Sequence, residues 1–92
     1  MKVYLSKRAQ KVYDGQNEPE KSRLRNALED LGKDPPQGDI KKLHGRNDYS
    51  VHIGGWRIVF DVYPEYIHPV TETKGAVIIS KIGTRGGVYK GA

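Results

Sequence analysis

The chain has 92 residues, with 16 Lys plus Arg against 11 Asp plus Glu, and a formal net charge of +5 with histidines neutral. That length supports a single domain over 1–92 with a thin core, and the basic balance favours polyanionic partners. The sequence has no cysteine, no apolar stretch as long as a membrane helix and no apolar signal core in its opening MKVYLSKRAQ, which excludes disulfides and thiolate metal sites and leads us to expect a cytoplasmic protein with no membrane partner.

In chain order, VYL at 3–5 reads as a first strand. Ser6 can cap a helix running to about Tyr13, with Leu5, Ala9, Val12 and Tyr13 spaced for one buried stripe and Gly15 ending it. Asn17, followed three residues later by Glu20, has the spacing of a capping box, and Pro19 costs no hydrogen bond in a first turn. Leu24, Ala27, Leu28 and Leu31 then form an i, i+3, i+4, i+7 stripe, closed by Gly32 and by Pro35-Pro36. The two helices are expected to form a hairpin covering one face of a sheet. Residues 35–48, rich in Pro, Gly and Lys, read as a loop.

DYSVHI alternates, with Tyr49, Val51 and Ile53 on one face and Ser50 and His52 on the other. Gly54-Gly55 reads as a two-residue hairpin turn with positive φ at both positions. WRIVFDV alternates again, so a register pairing Ile53 with Trp56 sets His52 across from Arg57 and Ser50 across from Val59. Residues 64–75 read as a long connection with a mobile tip, and AVIISKI at 76–82 as a central strand buried on both faces. The whole is an α+β class domain: a small, mostly antiparallel sheet of about four strands with an N-terminal helical hairpin packed on one face.

The chemistry rests on a combination. Singly, Arg57 reads as a solvent-facing arginine paired with Asp48 or Asp61. His52 alone reads as a half-exposed surface histidine, Arg85 as a solvated charge and Tyr89 as a ring packed on the sheet. A last strand beside WRIVFDV would, however, let the glycine-rich tail GTRGGVYKGA return over the polar face. Two guanidinium groups then offer forked donors to phosphate, an imidazole can move a proton near neutrality, and a phenol can stack on a base. With no carboxylate cluster or histidine pair in the pattern, no metal and no other cofactor is expected, and the natural reaction is cleavage of RNA by its own 2′-hydroxyl. A positioned acid or base contributes about 10²–10⁴-fold and a preorganised donor roughly 3–4 kcal/mol.

The run IKKLHGRNDYSVHIGGWRIVFDV together with the terminal IGTRGGVY resembles the bacterial toxins of the RelE/ParE superfamily, over almost the whole chain. The resemblance implies a toxin neutralised by a cognate antitoxin protein. RelE-type members cleave mRNA in the ribosomal A site, with ribosomal RNA contacts and without metal. It further implies that Arg57 contacts the scissile phosphate, that Arg85 supports the phosphate and leaving group, and that Tyr89 stacks on or orients the mRNA. His52 and Ser50 fall where the founding type carries two lysines. His52 is then the proton acceptor, and the lysine at Ser50 is missing. Lys41, Lys42, Arg46, Ser50, Lys81 and Lys90 become the expected RNA-binding residues, against the plainer reading of Lys41, Lys42 and Arg46 as a solubilising loop.

Two other functions suit the same scaffold. One is a ParE-like inhibitor of DNA gyrase, a non-catalytic binding module, distinguishable by a supercoiling assay. The other is an inactive RNA-binding relative, which Ser50 in place of a lysine would allow.

Overall fold

The computed structural model describes residues 1–43 and 48–84. In chain order the elements are β1 (Lys2–Leu5), α1 (Lys7–Asp14), α2 (Glu20–Leu31), β2 (Ile40–Lys42), β3 (Tyr49–Ile53), β4 (Trp56–Ile67) and β5 (Lys74–Thr84). The strands form one sheet in the order β1-β5-β4-β3-β2. The β1–β5 pair is parallel and the other three pairs are antiparallel. The α+β class and the mostly antiparallel sheet agree with the sequence reading.

Both helices cover one face. Ala9 from α1 and Leu24, Ala27 and Leu31 from α2 are buried against Val51, Ile58, Phe60, Val77, Ile79 and Ile82 of the sheet. Burying a side chain such as Leu or Ile contributes about 1.5–3 kcal/mol, so this one layer holds most of the apolar stabilisation. The two helices touch through Tyr13, whose hydroxyl accepts from Arg25 Nε at 3.2 Å, while α1 packs chiefly on β5 and α2 also reaches β1 and β3. Ser6 caps α1 as expected. Its Oγ accepts from the Ala9 amide at 3.1 Å and donates to the Ser80 carbonyl at 2.9 Å, so the cap also ties the helix to β5. The capping box at Asn17 does not form. Pro19 occupies the N-cap of α2 without a side-chain cap bond. Glu20 instead accepts from Trp56 Nε1 and pairs with Arg23, linking the helix start to the β3–β4 hairpin.

Three further expectations are corrected. The stretch read as a loop over 35–48 contains β2, whose Ile40 pairs with Val51. A three-residue run with one apolar member has too little period to signal a strand, and β3 supplies its backbone partners. The sheet therefore has five strands. Half of the connection at 64–75 is strand: β4 runs to Ile67 and β5 starts at Lys74. Pro64 suggested a break, yet it lies inside a register shift between Tyr63 and Ile67, where the regular ladder is interrupted. The tip is closed by His68 and Thr73, whose backbones bond at 3.0 Å. Finally, β5 is not covered on both faces. Val77 and Ile79 are buried in the core, whereas Ile78 on the other side is only half-buried.

Glycine matters at two turns. Gly54 has φ 54°, so one member of the Gly54-Gly55 pair, not both, needs positive φ. Gly75 has φ 89°, and a Cβ there would lie 2.6 Å from Met1 Cγ.

Candidate functional site

The β3–β4 hairpin has the expected register: Ile53 opposite Trp56, His52 opposite Arg57, Ser50 opposite Val59. Because directly paired residues share a face, His52 and Arg57 stand together on the face away from the helices. The pairs continue across the sheet. Lys41 on β2 pairs with Ser50, Ser50 with Val59, and Val59 with Lys81 on β5. Strands lie about 4.8 Å apart, so Lys41 and Lys81 flank this row at roughly 14 Å. The next row holds His52, Arg57 and Gly83.

Lys81 reaches this face because of a bulge. The register shifts between Val59 and Phe60, so that Val59 pairs with Lys81 but Phe60 with Ile79. Ser80 is the extra residue, and its Oγ donates to the Val59 carbonyl at 3.1 Å. Without the bulge, strict alternation from Val77 and Ile79 would turn Lys81 into the helix-covered core. With it, Ile79 and Ile82 both reach the core and Lys81 stays on the polar side.

The same alternation separates Lys41 from Lys42. Both are exposed, but Lys42 pairs with Tyr49 and falls on the helix side, so the two do not share a surface. Ser50 is 2% exposed. His52, Arg57 and Lys81 are half-buried. Arg46, Arg85, Tyr89 and Lys90 lie outside the described residues. Among the described residues no group of three or more His, Asp or Glu side chains could hold a metal ion, and no helix is long and apolar enough to cross a membrane.

Further along the same face the sequence reading assigned no role. Continuing the alternation of β4 from Arg57 through Val59 and Asp61 leads to Tyr63, which pairs with Ala76. On β1, Tyr4 pairs with Ile78 and Lys2 with Ala76. Tyr4, Tyr63 and Tyr66 surround an open recess floored by Ala76 and Ile78. The period-2 pattern of β4 was the available signal, and it was cut short at Val62 by the proline two residues on.

The charge on this face is one-sided. Among the described strand pairs, Lys2, Lys41, Arg57 and Lys81 share it with one carboxylate position, Asp61. Such a surface attracts a phosphate chain, and the cross-strand pairing puts an imidazole and a guanidinium in one row of it.

No family model and no curated protein matches the chain. Among solved structures, the chain is similar to the RelB–RelE antitoxin–toxin complex from Methanococcus jannaschii, with 21% identity, a TM-score of 0.66 and 95% of each chain covered. The five-stranded mixed sheet with its two helices on one face is thus the RelE-like fold that the motif resemblance implied.

Proposed function

We propose that the chain is the toxin of a type II toxin–antitoxin system, a ribosome-dependent and metal-independent mRNA endonuclease. The observation that carries this reading is the cross-strand pairing of His52 with Arg57 on a cationic face of a RelE-like sheet. In the reaction, the 2′-oxygen of one nucleotide forms a bond to the adjacent phosphorus while the bond from phosphorus to the 5′-oxygen of the next nucleotide breaks. His52 takes the 2′-hydroxyl proton. A proton from solvent returns to the leaving 5′-oxygen, and the products are a 2′,3′-cyclic phosphate and a 5′-hydroxyl. Arg57 and Arg85 hold the charge on the non-bridging oxygens, and Tyr89 orients the nucleotide. A cognate antitoxin, as the RelB–RelE complex has, is the expected protein partner and covers this face.

Primer extension on a ribosome-bound message tests the proposal. Wild-type protein is expected to leave discrete cuts within codons in the A site, and His52→Ala and Arg85→Ala to reduce them by about 10²-fold or more. Undiminished cuts in both variants would reject the assignment. Loss of gyrase supercoiling activity without any RNA cut would favour the gyrase-inhibitor reading instead.

A further inference from the structure

The tyrosine recess lies on the same face as His52 and Arg57, six residues along β4 from Arg57. At about 3.3 Å per residue the separation is roughly 20 Å. A break in the ladder shapes it. The register shift between Tyr63 and Ile67 puts Pro64, Glu65 and Tyr66 outside the regular pairing. Tyr66 is thereby aimed at Tyr4, and the rings meet edge to face with centroids 6.2 Å apart. Tyr63 remains 51% exposed and Tyr66 39% exposed. Two tyrosine rings thus stand open beside an apolar floor.

We propose that Tyr63 and Tyr66, backed by Tyr4, form a base-stacking subsite for single-stranded RNA whose scissile phosphate sits at Arg57. The inference rests on the RNA-cleavage reading above and extends it to a second contact region. The face offers the two features that single-strand platforms combine, aromatic rings and a mostly cationic track: Lys2 lies next to the recess and Lys81 between it and Arg57, against the one carboxylate position Asp61 among the described strand pairs there. This charge complementarity favours a polyanion over an apolar protein segment. The Tyr4 hydroxyl is buried beside the Tyr66 phenol, so Tyr4 backs the recess and the exposed rings of Tyr63 and Tyr66 form its open face. Burial, then the neighbouring Tyr66 phenol, raises the Tyr4 phenol above its ordinary value, which keeps it a neutral donor. The separation corresponds to about six stacked bases at 3.4 Å each, fewer if the strand is extended.

The test is fluorescence anisotropy with labelled 2′-O-methyl oligonucleotides of about three, six and nine nucleotides, which carry bases and phosphates but no nucleophilic hydroxyl. Wild-type protein is expected to bind the longer strands more tightly than the shortest. Tyr63→Ala and Tyr66→Ala should lose about 5- to 150-fold on the longer strands only. Tyr63→Phe and Tyr66→Trp should retain wild-type binding, because the stacking face survives. If the alanine variants bind every length as wild type does while Arg57→Ala weakens all lengths, the stacking subsite is wrong and the phosphate site stands. If wild type binds no RNA of any length, the stacking subsite is wrong, and the cleavage reading is decided separately by primer extension on the ribosome-bound message. If the alanine variants keep RNA affinity but fail to bind an acidic amphipathic peptide that wild type captures, the recess is a protein-docking site and the proposal is overturned.

Discussion

The two faces of the one sheet are made by alternate residues of the same strands, yet they follow different rules. On the helix side, Val51, Ile58, Phe60, Val77, Ile79 and Ile82 meet the apolar stripes of α1 and α2. Any side chain of similar volume and apolarity would serve there. On the other side stand Lys2, Tyr4, Lys41, His52, Arg57, Tyr63 and Lys81, with no described helix over them. Their polar and aromatic groups contribute little to a core and much to a contact with phosphate and bases. One face therefore holds the fold and the other is free to carry function, and substitutions on the two should separate stability from activity.

The largest expected effect is Phe60→Ala. Phe60 is 1% exposed and stacked on Tyr49 with ring centroids 5.7 Å apart, so its truncation should cost about 3–5 kcal/mol. A thermal melt should shift down by roughly 12 °C or more. On the other face, Arg57→Ala should reduce single-turnover RNA cleavage by about 10²–10³-fold while the melt moves far less than for Phe60→Ala. Equal loss of stability in both variants would erase the division between faces. Ser6→Ala removes both the α1 cap and the bond to Ser80, and should cost about 1–2 kcal/mol by urea unfolding with cleavage per folded molecule unchanged. The smallest effect sharpens the comparison most. Lys41→Ala should reduce the salt slope of single-strand RNA binding by about 0.7, whereas Lys42→Ala, one residue on but facing the helix side, should leave the slope as it is.

Much of this was legible in the sequence. The i, i+3, i+4, i+7 stripe from Leu24 to Leu31 and the cap at Ser6 identified the helices, because both signals are local along the chain. The Gly-Gly turn between two alternating runs identified the β3–β4 hairpin, and its register set His52 against Arg57. A tight turn leaves one register in which both apolar faces are buried. What escaped was non-local. β2 is a strand through its pairing with β3, and Pro64 is tolerated through an irregularity in the β4–β5 ladder.

The amino-acid sequence by itself determined the class of the fold, the two helices, the central hairpin and the pairing of an imidazole with a guanidinium, since each follows from periodicity and a turn only two residues long. The tertiary structure alone decided which side Lys81 faces, that Lys41 and Lys42 part company, and that Tyr4, some sixty residues from Tyr63 and Tyr66 in the chain, meets them in one recess. Those outcomes depend on bulges and on strand neighbours distant in the chain. A bulge shifts the alternation by one residue at a point set by the partner strand, and no pattern within a single segment encodes where that partner lies.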